Sequence, residues 1–290
     1  MFHAEFVISL SFTLSVSNDA TEVLMPELSV RPAAVAGQFY PADPDRLRQE
    51  VRGYVDHASL PEDLGPVRAV VAPHAGYVYS GATAGYAFKA LEQLPARDWT
   101  VFLLGPAHRV PVNGVALGSY SAFRTPLGDA PIAVDRVTEM LECSALYIRS
   151  PGAHAREHCL EVEVPFLQTV LPNFQLVPML FGQVDPREVA EDLLEQIGEN
   201  ELVVVSTDLS HFYSYDRAQE LDQDFLEAVL AGDERDVTRG EACGRAPVTT
   251  LMEIAEHKAW SPRLLDYRNS GDTSGDKSRV VGYASLAYTS

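Results

Sequence analysis

The stretch Arg68-Ala69-Val70-Val71-Ala72-Pro73-His74-Ala75-Gly76-Tyr77 decides the fold. A short unbroken run of small and branched apolar residues reads as a strand buried on both faces, as in a parallel sheet. Pro73 cannot donate to a sheet ladder and Gly76 permits a tight turn, so the strand is expected to stop where His74 stands. The pattern occurs twice more: Trp99 to Leu104 runs into Gly105-Pro106-Ala107-His108, and Leu202 to Ser206 runs into Thr207-Asp208-Leu209-Ser210-His211. Ligands of open α/β sheets bind outside the carboxyl ends of the strands, so His74, His108 and His211 are expected to point to one place.

Working outward, Asp43-Pro44 has the N-cap-then-proline signature of a helix start. Leu47, Val51, Tyr54 and Val55 then recur at helical spacing, predicting a helix over 44–57. A second helix is expected over 81–94, between the first two histidine strands. That order calls for a parallel pair with a right-handed crossover. Residues 114–135 read as a hairpin or meander at the sheet edge, Asp135 as the cap of a helix reaching Cys143, and residues 150–153 as a loop. A helix is expected from Glu157, with Leu160, Val164, Leu167 and Leu171 on its apolar face and a kink at Pro165. Further on come a buried strand over 174–181, a helix capped by Asp185-Pro186, a helix over 215–230 ended by Gly232, and a helix containing Val248, Leu251, Met252 and Ala255. Strands over 263–267 and 280–288 close the chain around a polar loop, 269–277. No repeat or linker interrupts residues 30–290, which read as a single α/β domain: three-layer α/β/α with a mixed, largely parallel central sheet. Residues 1–29 read as an N-terminal extension, a flexible or edge-strand tail. Phe6 to Val16 resembles a short signal-peptide core, but no Lys or Arg precedes it and no small-residue cleavage site follows.

Composition narrows the function. Of 290 residues, 46% are hydrophobic, enough for a full core, and the formal net charge is −19. That charge argues against nucleic acid, whose phosphates need clustered Lys and Arg, and against an anionic membrane surface. Three scattered cysteines make no disulfide framework and fit a reducing cytoplasm. No stretch is long enough to be a transmembrane helix. A glycine-rich phosphate loop, HExxH and GxSxG are all absent, which removes kinases, ordinary dehydrogenases, zincins and common serine hydrolases.

Any one strand-end histidine is adequately explained by backbone hydrogen bonds. Three with the same placement point to a ligand set, because imidazoles from separate loops can fix a transition metal and leave coordination positions open. Cys243 precedes a helix whose amides would lower its pKa, although for an isolated cysteine a small buried residue is the better explanation. Asp208 and His211, three apart after a strand, suit a carboxylate orienting an imidazole, or an acid and a base in one pocket. His158 and Glu161 share a first helical turn and could act together or cap that helix. Tyr77, Tyr79 and Arg124 could line the pocket or simply pack, and Cys143 and Cys159 are placed on helix faces.

Taken together, Arg31-Pro-Ala-Ala-Val-Ala-Gly-Gln-Phe-Tyr-Pro, Ala72-Pro-His-Ala-Gly-Tyr, Leu104-Gly-Pro-Ala-His, Phe123-Arg-Thr-Pro-Leu-Gly, Glu157-His-Cys-Leu-Glu-Val, Ser206-Thr-Asp-Leu-Ser-His and Cys243-Gly-Arg-Ala-Pro resemble the Memo family. Its prokaryotic members are called AmmeMemoRadiSam system protein B. The likeness covers residues 31–290 in consistent order and implies a fold similar to class III extradiol dioxygenases. Carried over by motif, it implies that His74, His108 and Cys243 are metal ligands, with His158, Asp208 and His211 at the remaining polar pocket positions. Fe(II) is the implied cofactor, with Cu or Zn as alternatives. The family's name also implies functional association with AMMECR-like and radical SAM proteins.

One departure from the dioxygenase pattern matters. A cysteine stands where those enzymes complete their triad with a carboxylate, and a thiolate shifts the metal's redox behaviour. Two expectations follow. One is a non-haem-metal redox enzyme acting on a small organic substrate, with His211 as acid or base, oriented by Asp208, and His158 assisting. The other is a metal-binding or peptide-binding adaptor that keeps the pocket without the chemistry.

Overall fold

The computed structural model describes residues 29–290; the first 28 residues, on which most of the reading of a tail falls, lie outside that description. Ser29 itself opens β1 (Ser29–Arg31). α1 (Pro44–His57) begins at the expected cap: the Asp43 carboxylate accepts the Arg46 amide at 2.8 Å and Pro44 fills the first turn. β2 (Val67–Ala72) stops at Pro73, and α2 (Tyr77–Glu92) starts well ahead of the expected Gly81. β3 (Asp98–Pro106) carries the second histidine motif.

The next segment departs from a plain edge meander. β4 (Val115–Leu117) joins the main sheet, whereas β5 (Tyr120–Thr125) and β6 (Gly128–Pro131) form a hairpin in a separate small sheet. β1 pairs with β5 in parallel and the Arg31 guanidinium lies 4.6 Å over the Phe123 ring, which draws the hairpin away from the main sheet. α3 (Val134–Cys143) starts one residue before Asp135, so that Asp lies in the first turn and is not the cap. β7 (Tyr147–Arg149) follows, and the expected loop at 150–153 is instead the start of a one-turn helix, α4 (Pro151–Ala155), with Pro151 in its first turn.

The helix expected from Glu157 is also different. Residues 157–160 form a turn, Glu161–Glu163 a 3₁₀ turn, and α5 (Val164–Val170) begins with Pro165 in its first turn. Proline is tolerated there because its missing N–H would have had no partner anyway. Upstream, the Glu157 carboxylate takes the amides of His158 and Cys159 at 2.9 and 3.3 Å, competing with helix formation.

β8 (Asn173–Phe181), α6 (Pro186–Leu194) and β9 (Glu201–Ser206) then follow the expected order. β10 (His211–Tyr213) is short, α7 (Tyr215–Ala231) ends at Gly232 in the left-handed conformation, and α8 (Glu234–Arg239) leads into α9 (Arg245–Lys258). β11 (Ser261–Asn269) and β12 (Val280–Thr289) flank α10 (Ser270–Ser274), a short capped helix inside the expected polar loop.

Among the described residues the main sheet has nine strands, in the order β10-β12-β2-β9-β3-β8-β4-β7 with β11 beside β12. β2, β9, β3 and β8 run parallel, and β12 and β4 flank them antiparallel. The sheet is thus mixed with a parallel centre. Ala72 pairs with Ser206 and Leu104 with Val205, so the three histidine strands end at one edge. Helices α1, α2 and α5 pack together in one layer and α6 and α9 in another, with α2 against β2 and α9 against β3 and β9. Val70, Val71, Phe102, Leu103, Val203, Val204 and Val205 are buried between the layers. Burying each such side chain contributes roughly 1.5–3 kcal/mol, which fixes the strand ends beneath the site. No helix among the described residues is long and apolar enough to cross a membrane.

Candidate metal centre

His74 follows Pro73 off the end of β2 and is almost wholly buried. Its amide donates to Asp208 Oδ1 at 2.8 Å, and Asp208 also accepts the Ala75 amide. Asp208 therefore fixes the loop that carries His74. Nδ1 of His74 lies 2.8 Å from Ser206 Oγ, and Nε2 lies 3.2 Å from Cys243 Sγ. Burial, reinforced by charge repulsion from His158 and His108, pushes the His74 pKa well down, so the ring is neutral.

His108 is carried past the end of β3, and His158 arrives on the turn before the 3₁₀ segment. One carboxylate holds both. Glu157 accepts the His108 amide at 2.7 Å on Oε2 and His108 Nδ1 at 3.0 Å on Oε1. His158 Nδ1 also lies 3.0 Å from that Oε1, although the pair is not aligned as a hydrogen bond. Burial alone would raise the Glu157 pKa, but the contacts from His108 and His158 outweigh it and hold the carboxyl well below its usual range. The two imidazoles stack at 4.9 Å between centroids, and Phe39 covers His158 at the same centroid distance. The turn sits this close to β3 because Gly105 has no side chain: a Cβ there would lie 2.8 Å from Leu160 Cδ2 and 2.9 Å from Cys159 Sγ.

Cys243 is laced to the end of β9. Its amide donates to the Asp208 carbonyl at 3.2 Å, its Sγ accepts the Asp208 amide at 3.3 Å, and the Gly244 amide donates to Thr207 Oγ1 at 2.8 Å. The helix after it does not make it a thiolate here. Burial, followed by the charge of Asp208, pushes its thiol up to about 12.

The imidazoles of His74, His108 and His158 offer donor nitrogens that all lie within 4.8 Å of one another. Cys243 stands beside His74 but outside that mutual set. The donor chemistry fits a transition metal: imidazoles from separate loops, two of them with Nδ1 held by Ser206 and Glu157 and a third whose Nδ1 lies beside the same Glu157. Such outer partners fix ring orientation and tautomer in metal sites. His211 lies on β10, half-buried, and its charge interacts with Asp208 and His74. No hydrogen bond joins it to Asp208 among the described residues; the Asp208 carboxylate serves the two amides instead.

Other expected residues fall elsewhere. Glu161 points away from His158 and forms a buried pair with Arg31 at 2.7 Å, while also accepting from Tyr40 and the amides of Ala34 and Val35. Tyr77 is buried with its hydroxyl on the Val162 carbonyl, and Arg124 is a surface partner of Asp129. The three cysteines are free; Cys159 is buried and donates to the Pro106 carbonyl, and Cys143 is exposed. Sequence reasoning missed Glu157, Ser206 and Phe39. An acid directly before a histidine is the only local signal for Glu157, and nothing local marks the other two.

Residues 31–287 match the family model described as Memo-like protein. A MEMO1 family protein of Methanopyrus kandleri is 38% identical over 279 residues, covering 89% of this chain and 98% of its own length. One from Sulfolobus acidocaldarius is 35% identical over 286 residues, covering 89% and 99%. Among solved structures, an uncharacterized protein of Escherichia coli K12 superposes with a TM-score of 0.50 at 10% identity, over 76% of this chain and 99% of that one, which is a likeness of fold alone. With a family match over nearly all the described residues and relatives of this identity and coverage, the chain belongs to the Memo family.

Proposed function

We propose that this protein is a metal-dependent oxidoreductase that holds a divalent transition-metal ion, Fe(II) first, at the carboxyl edge of its parallel strands. His74, His108 and Cys243 are the ligands in this reading, and His158 assists from the same cluster. The observation that carries it is the commitment of the outer nitrogens: Ser206 and Glu157 hold Nδ1 of His74 and His108, leaving each Nε2 for the centre. Cys243 supplies the negative charge that two neutral imidazoles lack, once its proton has been displaced.

When bound, such an ion supplies open coordination positions and one-electron chemistry. The chain supplies the rest. Asp208 clamps the His74 loop, Phe39 shields the His158 ring from water, and half-buried His211 exchanges protons between a small organic substrate and solvent. The free thiols fit a reducing, cytoplasmic setting.

The test is metal analysis of anaerobically purified protein, followed by oxygen uptake with candidate organic substrates. Stoichiometric iron with substrate-dependent uptake is expected. Zinc or copper at full occupancy without uptake would leave the metal centre and replace catalysis by a non-catalytic metal-binding role. Failure to bind any divalent ion would remove the proposal.

A further inference from the structure

Ser206 Oγ, fully buried at the end of β9, has three polar neighbours at the same distance. His74 Nδ1, the Cys159 carbonyl and Glu163 Oε1 each lie 2.8 Å away. A hydroxyl brings one proton and two lone pairs. The Cys159 carbonyl can only accept, so a hydrogen bond to it uses the Ser206 proton. The remaining two neighbours must then donate into the Ser206 lone pairs. His74 can do so only with its proton on Nδ1, and Glu163 only as a carboxylic acid.

We propose that Glu163 is a neutral acid that donates to Ser206, and that this Glu163–Ser206 relay holds His74 in the Nδ1–H tautomer with its Nε2 lone pair directed at the centre. Every other proton arrangement leaves one of the three contacts unmade. An ionised Glu163 would take the Ser206 proton and strip the buried Cys159 carbonyl of its donor, and a buried polar group without its hydrogen bond costs about 1–3 kcal/mol. The surroundings agree. Glu163 is 1% exposed and has no cation beside it among the described residues, and burial, reinforced by the Asp208 charge, holds its carboxyl well above the usual range against the Ser206 hydrogen bond. Neutrality also suits the site, because Glu157 already places one ionised carboxylate against the other two imidazoles. Glu163 and Ser206 are positioning residues, acting through His74.

The proposal rests on the metal reading for its purpose but not for its first test. In metal-free parent protein, ¹⁵N-resolved NMR of the His74 ring should show the proton on Nδ1. A ring protonated on Nε2 overturns the relay whatever the metal does. The second test uses Zn²⁺ affinity with circular dichroism to verify folding. Glu163→Gln keeps a donor without adding charge and should bind Zn²⁺ nearly as the parent does across the pH range. Ser206→Ala and Glu163→Ala should lose about 10- to 100-fold, the usual cost of removing a ligand's outer partner. If folded Glu163→Gln loses as much as Glu163→Ala, Glu163 acts as an anion and the proposal fails. A parent that binds no Zn²⁺ while its His74 shows the Nδ1 proton would sink the metal reading and leave the relay standing.

Discussion

Nε2 of His74 stands 3.2 Å from Sγ of Cys243, although 169 residues separate them in the chain. With Zn–N at about 2.0–2.1 Å and Zn–S at about 2.3 Å, adjacent ligands of one ion lie about 3.1–3.6 Å apart, so the separation of this pair matches the ligand pair proposed above. Cys243→Ser should therefore weaken divalent-metal binding more than Asp208→Asn, which disturbs only the amide clamp on the His74 loop. Co²⁺ titration reads both quantities, since a thiolate ligand gives a near-ultraviolet charge-transfer band that Cys243→Ser must abolish. If the serine variant binds as tightly as the parent and His158→Ala does not, the three-imidazole set is the ligand shell.

Glu157 makes a separate prediction about affinity. It contacts the outer nitrogens of both His108 and His158, so Glu157→Gln should cost about 10- to 100-fold in metal affinity while the chain remains folded. Unchanged affinity would mean that the carboxylate merely ties the turn to β3.

The same site sets a pH dependence. His74 is held neutral, its pKa in the folded chain lying below the unfolded value of about 6.5, so its contribution is complete above that pH and is lost as pH falls. Glu157 is held ionised, its folded pKa lying below the unfolded value of about 4.3, so its contribution is complete above that pH and is lost on further acidification. Metal-free parent protein should lose melting temperature in two windows, first below about pH 6.5, where buried His154, lowered to about 4 by burial, adds to His74, and then below about pH 4.3. Glu157→Gln should keep the first loss and flatten the second; the reverse pattern would reject the assignment.

The N-terminal motif makes a structural prediction. Arg31 and Glu161 form an ion pair with side chains 1% and 0% exposed, and Arg31 also donates to the carbonyls of His154 and Glu157. Removing one member of such a pair typically costs about 3–5 kcal/mol because a bare charge stays buried. A chain starting at Leu28 should keep its fold and metal affinity, whereas Arg31→Met should melt far earlier and loosen the turn bearing Glu157 and His158. Equal melting temperatures for Arg31→Met and the parent would show that the strap is dispensable.

The parallel centre and its histidine edge were legible because each signal is local. An apolar run, a Pro or Gly and a histidine stand within ten residues of one another at Ala69 to His74, and the pattern repeats. The holders of those histidines were not legible. Glu157 reaches His108 across 49 residues, and Glu161 finds Arg31 across 130, so neither pairing leaves a trace at short spacing. The turn at 157–160 shows the same limit. Leu160, Val164 and Leu167 keep helical spacing, but a carboxylate that claims the first amides overrides it. For Cys243 the local signal pointed the wrong way, since its burial raises the pKa that a helix start would lower.

The last prediction concerns Gly105, where strand packing and site geometry meet. Its φ lies in no region reserved for glycine, so the constraint is space alone. An added methyl would overlap Leu160 Cδ2 at 2.8 Å and Cys159 Sγ at 2.9 Å, and Ser206 Cβ lies just beyond at 3.6 Å. Overpacking of this kind costs about 1–3 kcal/mol. It would also push the 157–160 turn away from β3, moving Glu157 and His158 from His108. Gly105→Ala should thus lower both melting temperature and metal affinity. Adding Leu160→Ala, which clears the nearer clash, should restore part of the affinity even though it deletes core volume. A double variant that regains none of it would show that the turn does not yield to the methyl, and that β3 shifts instead.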